Sequence, residues 1–404
     1  MSDRLYYSIT TRKFILRTSH DGWLLATRKL YNEVLYFYYR LFLEHSELYA
    51  LGNQKTLREL ERMTIVGRDK QPVEEPLPWK GFPLYLRRAA INAALSAGRS
   101  YLARDKQAFP SETFSASINL YKGNYKNLDS RCITIKVWNG EKWQWLKCRL
   151  YRNHLPEDGI CLSPRVVFKA NGMELHVPVQ QTVPNGKPLR ERMGSELRIC
   201  SLQFTNGDTF AVACILNREN ELEAARFFRG GKTYAARYNR ILDKIKKSRE
   251  AVGNEFRTSA DSESAGRNNK RYWKKLKWLR EDTAHQISRR IVDFCRESGA
   301  QVIVLPKYSR EFSKYVMISV GDGSPLRLND KVRTLLRYKA WQEGILVIES
   351  EVSDIGRYCA LCKAAVHIKG ELFICENGHQ GNRRINAAKN LGRKTYENLD
   401  RHMQ

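Results

Sequence analysis

The sequence predicts an α+β protein of several domains: a β-barrel interrupted by helices, then a layer of alternating strands and helices carrying a cysteine knuckle. Three observations lead there. Apolar residues recur at three- and four-residue spacing over 21–42 and 84–107, the signature of amphipathic helices. Between them and about residue 191, β-branched and aromatic residues alternate with polar ones, as in strands with one buried face. After residue 195, strand-like and helix-like segments alternate at lengths that suit an α/β layer.

The first segment, Arg4 to Arg17, places Leu5, Tyr7 and Ile9 at every second position, so it reads as a strand. From Asp21, a candidate N-cap, Trp23-Leu24, Leu30-Tyr31, Val34-Leu35, Tyr38 and Leu41-Phe42 form a helical stripe. A second helix is expected over Leu84 to Gln107, and the proline-rich stretch from Arg68 to Gly81 between the two reads as a loop. Strands follow from Ile133, Lys142, Ser163 and Met173, the last two joined through a hairpin turn at Asn171-Gly172. Because the opening strand belongs with these, the helices are an insertion into the barrel. In the second half, strands are expected at Leu197 to Phe204, Thr209 to Leu216, Gln301 to Leu305 and Ile345 to Ser350, with helices at Glu281 to Glu297 and Lys331 to Glu343. A long basic region covers Arg226 to Lys277, and within it Ser248 to Arg271, polar and poor in aliphatics, reads as a mobile linker.

The chain has 404 residues and a formal charge of +27, with 11% aromatic residues. That charge exceeds a solubility margin and points to a polyanion that is neutralised and stacked upon, which is to say nucleic acid. No apolar run approaches the roughly 18 residues that span a bilayer, and the first residues lack the apolar centre of a signal peptide. The expectation is a soluble intracellular protein with no membrane partner. Cys132, Cys148, Cys161, Cys200, Cys214 and Cys295 stand singly in apolar or strand-like contexts, as reduced core thiols do.

Only Cys359, Cys362 and Cys375 cluster. Cys359-Ala-Leu-Cys362 and Cys375-Glu-Asn-Gly-His379 flank a short β-like segment, and two such turns on a hairpin supply the soft donors of a tetrahedral zinc site. His379 is the expected fourth ligand, with His367 as substitute. Four protein ligands leave no open position for water, so this zinc is structural.

The knuckle runs into Asn382-Arg383-Arg384-Ile385-Asn386-Ala387-Ala388. The whole stretch resembles the end of the RuvC-like nuclease domain in transposon-encoded TnpB proteins and compact type V CRISPR effectors. In that family the segment normally reads Arg-Asp-x-Asn-Ala-Ala, and its Asp binds a catalytic metal. The resemblance implies a wedge barrel at 1–18 and 109–194, a helical recognition domain at 19–108, a RuvC-like domain at 195–355 and 381–404, and a zinc ribbon at 356–380.

It also implies three metal-binding acids, and each position here holds something else. Gln203 falls where the first Asp is expected, a register shift offering Ser201 instead; Pro306 follows the strand that precedes the Glu; Arg384 replaces the last Asp. Mg²⁺ demands charged oxygen ligands, and a guanidinium repels it and could fill the vacated pocket. The expectation is therefore no catalysis and no catalytic Mg²⁺. Asp208, Glu349, Glu351 and Asp354 are the acids through which a rearranged site would have to work.

Arg267, Lys270, Arg271, Lys274, Lys275, Lys277 and Arg280 bracket Tyr272, Trp273 and Trp278 with no acid among them. Such a run suits a phosphate backbone, or else it is a solvated helix whose tryptophans are core; the whole-chain charge favours binding. Arg337, on a second basic helix, is a candidate RNA contact. The resemblance implies a guide RNA, target double-stranded DNA opened as an R-loop, and a cytoplasmic, nucleoid-associated prokaryotic protein. With the acids gone the output becomes occupancy, read as transcriptional repression. The alternatives are recruitment of a transcription or transposition factor, a guide-independent DNA-binding regulator, and an active nuclease with relocated ligands.

Overall fold

The computed structural model describes residues 5–67, 71–104, 114, 117–194, 196–254, 259–351 and 353–401. The chain divides into two compact units, Ile9–Gln181 and Met1–Ser8 with Thr182–Gln404.

The first unit is built on β1 (Tyr7–Arg17), α1 (Asp21–Glu44), α2 (Asn53–Thr64), α3 (Leu84–Leu102) and strands β2 (Ser117–Asn119), β3 (Tyr125–Lys126), β4 (Cys132–Trp138), β5 (Trp143–Tyr151), β6 (Ile160–Cys161), β7 (Arg165–Lys169) and β8 (Gly172–Thr182). The sheet order is β2-β7-β8-β1-β5-β4-β3, with β6 on β8, so the opening strand does lie among the later ones. Its end strands β2 and β3 do not pair with each other among the described residues, an open sheet where a closed barrel was expected. The exposed face of β1 carries Tyr7 and Ile9, while Phe14 and Leu16 enter the core with Tyr31, Tyr38 and Phe42 of α1. Asp21 lies inside the first turn of α1 rather than capping it; His20 is the cap position. The β7–β8 register closes at Lys169 opposite Gly172, which moves the turn one residue back from Asn171-Gly172 to Ala170-Asn171. The short α2 interrupts no apolar run and was not foreseen; its Glu61 takes Arg87 and Arg88 of α3. Residues 71–81 hold neither helix nor strand, as their prolines predict. The foreseen extension of α3 past residue 104 lies outside the described residues.

The second unit centres on β9 (Ile199–Phe204), β10 (Thr209–Leu216), β11 (Leu222–Arg229), β12 (Val302–Lys307) and β13 (Leu346–Glu351), in the order β11-β10-β9-β12-β13. β9 to β11 are antiparallel, and β12 runs parallel to both β9 and β13. Helices α4 (Gly231–Asn254), α5 (Ser259–Glu297), α6 (Arg310–Ser319) and α7 (Asn329–Gln342) follow in sequence. The core of one sheet face joins Tyr234 and Tyr238 of α4, Leu276 to Cys295 of α5 and Val332 to Ala340 of α7 to Cys200, Leu202, Phe204, Ile303 and Leu305. The final helix α8 (Arg383–Arg401) closes the other face, where Ala387, Leu391 and Tyr396 meet Ile199, Leu216, Val302 and Val304. Two readings of the basic region are corrected. Its first residues form the edge strand β11, and the expected linker is helical up to Asn254 and again from Ser259. Lysine, arginine, glutamate and alanine favour helix whether or not an apolar stripe accompanies them.

All nine cysteines are free thiols. Burial pushes the Cys148 and Cys214 thiols up to about 12, as expected of inert core cysteines. Among the described residues no helix is long and apolar enough to cross a membrane.

Candidate functional site

Between β13 and α8 the chain forms a small ribbon of β14 (Val366–Lys369), β15 (Leu372–Cys375) and β16 (Gln380–Asn382). The Sγ atoms of Cys359, Cys362 and Cys375 and a ring nitrogen of His379 all lie within 4.8 Å of one another. Cys362 and Cys375 are 3.7 Å apart, Sγ to Sγ, against the edge of about 3.8 Å that Zn–S bonds of about 2.3 Å give a tetrahedron. The donor set therefore fits zinc, and His367, exposed on β14, is not part of it.

Each half of the site is a tight turn. In the first, the Cys359 N–H reaches Ala364 O and the Lys363 N–H reaches Cys359 O, with Lys363 at φ 62°. In the second, the Cys375 N–H reaches His379 O and the Gly378 N–H reaches Cys375 O, Gly378 taking φ 81° at no steric cost. The Ala364 backbone N–H directed at Cys362 brings that thiol down to about 6, toward the thiolate that binds metal. The ribbon's own core is only Cys359, Phe373 and Cys375 with a few partners, too small to hold a fold unaided.

Helix α8 grips this ribbon through its asparagines. Asn386 donates from Nδ2 to Tyr358 O at 2.8 Å and accepts the Ala360 N–H at 2.8 Å. Asn390 donates to Ile355 O and Tyr358 O at 2.8 and 2.7 Å, and Arg393 reaches Ala360 O. The small residues between them let the helix lie close on the sheet: a Cβ on Gly392 would stand 2.2 Å from Leu216 Cδ1. The Asn-Ala-Ala run is thus a clamp over the first zinc turn. Asn382 starts the helix by accepting the Arg384 and Ile385 N–H groups.

The pleat decides which side chains share the face under α8. Ile199, Val302 and Val304 point there, so by alternation Ser201, Gln203 and Pro306 do too, and Arg384 stands at the N-terminus of the helix over that face. Three positions inferred from separate sequence patterns therefore share one face and one end of the sheet. The Gln203 amide oxygen is buried there and accepts no hydrogen bond. Arg384 does not fill this space. It turns to the β14–β15 turn and forms a bidentate pair with Glu371, Nε to Oε2 at 2.5 Å and Nη2 to Oε1 at 2.7 Å. The guanidinium holds the Glu371 carboxyl below its ordinary value.

The other acids lie elsewhere. Leu346 and Ile348 pack under α8, so Glu349 and Glu351 face the opposite side of β13. Glu349 is held by Arg333 at 2.8 Å and by Arg337, and Arg333 also donates to Pro306 O at 2.6 Å. Asp354 pairs with Arg357, and Asp208 sits in the β9–β10 turn, accepting the Lys232 N–H. Among the described residues, the Cys/His set is the one group of three or more His, Cys, Asp or Glu with ligand atoms this close. Arg333 was not singled out in the sequence, where it is one cation among several on a basic helix.

Lys270, Arg271, Lys274, Lys275, Lys277 and Arg280 are exposed along α5, and none pairs with an acid among the described residues. Arg267 is helical in its backbone, but its side chain lies outside the described residues. Tyr272, Leu276 and Leu279 form the core side of this stretch. Trp273 and Trp278 do not: they are 46% and 57% exposed, which removes the reading of core tryptophans on a solvated helix. Arg337 is exposed but tied to Glu349 rather than free.

A family model for the Cas12f1-like TNB domain matches residues 330–391, and the Aq_aa04 family model matches residues 8–139. A search of the curated proteins returned no match. Among solved structures, the cryo-EM structure of a Cas12f1-sgRNA-target DNA complex is 11% identical, with a TM-score of 0.56 over 91% of this chain and 80% of that one. C2c1 of Alicyclobacillus acidoterrestris with single-guide RNA is 11% identical, with a TM-score of 0.47 over 93% of this chain and 66% of that one. The chain thus shares the fold of the first of these across most of its length, and its ribbon and the first half of its final helix match the Cas12f1-like TNB domain.

Proposed function

We propose that this protein binds DNA under the guidance of an RNA and does not cut it, and that its occupancy of a target beside a short flanking motif represses transcription. One observation carries the absence of cutting: Gln203 and Pro306 share the sheet face under α8, and Arg384 stands at the same end in the first turn of that helix, where a two-metal site would need carboxylates. Support for guided binding comes from the fold shared with a guide-RNA and target-DNA complex, and from the unpaired cations of α5. Zinc in the ribbon supplies folding energy and takes no part in chemistry. The distribution of acids weighs against relocated ligands, since Glu349 and Glu351 face away and Glu349 is already neutralised.

The test begins with the purified protein and whatever RNA comes with it. A discrete RNA should co-purify, and DNA matching part of it should be bound without cleavage in Mg²⁺ or Mn²⁺. Sequence-specific binding that survives RNase treatment would instead mark a guide-independent regulator. Metal-dependent cleavage abolished by Asp208→Ala or Glu351→Ala would mark an active nuclease. A target bound without change in transcription, with a protein partner retained on it, would mark a recruiter.

A further inference from the structure

The two exposed tryptophans of α5 differ in what covers them. The Trp278 ring carries Lys274 above it, Nζ at 4.9 Å from the centroid. Trp273 instead lines a cleft of about 300 Å³, and among the described residues no cation lies over its ring. Tyr238 of α4, Leu276 of α5 and Leu328 before α7 supply the apolar walls. Lys277 and Arg280, three apart and so on one side of the helix, stand at its edge with no acid partner. Glu281, next along α5 from Arg280, also lines the cleft and meets Lys331 at 3.4 Å.

We infer that this cleft seats one unpaired nucleobase against the Trp273 indole, with the flanking phosphates on Lys277 and Arg280. The inference deepens the proposed nucleic-acid binding and rests on it for the class of ligand. A half-exposed indole beside apolar walls offers a stacking face that any base can use. The volume lies at the small end of ligand sites and suits a single nucleotide, not a duplex edge. Charge places the phosphates on Lys277 and Arg280, which pair with no acid among the described residues, whereas Lys331 is already held by Glu281. A base within a duplex is already stacked and paired, so the cleft selects single strand. Guide RNA and opened DNA share this chemistry.

The test measures fluorescence anisotropy of the full-length protein, stripped of co-purified RNA, with short labelled oligouridylate, oligothymidylate and a DNA duplex. Trp273→Ala should weaken single-strand binding roughly tenfold while leaving duplex binding unchanged. Trp273→Tyr should restore most of it, and Trp278→Ala should match wild type. Loss on oligouridylate alone assigns the cleft to RNA, and loss on oligothymidylate alone assigns it to DNA. Wild-type affinity in Trp273→Ala, or equal loss on single strand and duplex, overturns the inference. Because no programmed target is used, a protein that stacks the base yet shows no guided binding keeps this inference and loses the guided reading.

Discussion

Lys339 shows what a single residue on α7 carries. It is 8% exposed, and its ammonium donates to His285 O at 2.7 Å and Ser288 Oγ at 2.8 Å, joining α7 to α5. Burial, and then Arg289, lower its pKa from the ordinary 10.5. Between that lowered value and 10.5 the unfolded chain binds more protons than the folded one, so this group's contribution to stability rises with pH. Lys339→Met should cost about 1–3 kcal/mol near neutral pH by removing both bonds that join α7 to α5 at this point. The urea midpoint of wild type should then gain on that of the variant as pH rises, read below pH 10.0, where tyrosine ionisation begins. A difference independent of pH would mean that Lys339 titrates normally. None of this was legible in the sequence, where Lys339 is one of several cations at helical spacing. Burial of a lysine is set by the partner helix, and the pattern of one helix does not contain it.

At the scale of elements, period and spacing did most of the work wherever an element buries one face. β9, β10, β12, β13 and α7 fall close to their expected bounds, and β10 matches them residue for residue. What escaped were elements whose apolar content is low. The edge strand β11 is exposed along most of its length, and the upper part of α5 carries no continuous stripe. The zinc donors were legible because ligand spacing is local chemistry, whereas the clamp by Asn386 and Asn390 depends on where the preceding loop passes. That clamp predicts a measurable coupling. Asn386→Ala removes the bonds to Tyr358 O and Ala360 N, next to Cys359, and should weaken zinc retention about tenfold against a competing chelator, as outer-shell losses do. Unchanged zinc affinity would reduce the asparagine to a helix-packing role.

The whole molecule carries +27, and six successive cations along α5 pair with no acid among the described residues. Affinity for duplex should fall steeply with salt, each phosphate contact contributing about 0.9 to the slope of log K against log salt. Lys274→Ala with Lys275→Ala should lower that slope by about two, without changing which sequence a guide selects. A slope that stays put would move the phosphate path off this helix. The composition points to a polyanion partner, but charge counts do not say which face is free. Only the folded chain separates the unpaired lysines of α5 from cations such as Arg333 and Arg337 that Glu349 already holds.

Arg192 raises a different matter, how such a fold outlasts sequence change. Its guanidinium is 7% exposed and donates to the carbonyls of Asn185, Lys187, Gln301 and Gly344, binding the segment before β9 to the starts of β12 and β13. Asn390 works in the same way, on the carbonyls of Ile355 and Tyr358. A main-chain acceptor survives replacement of the residue that bears it. Fastenings of this kind depend on one side chain each and tolerate change in most of the residues they hold, Gly344 with its φ of 72° excepted, which suits an architecture shared at 11% identity.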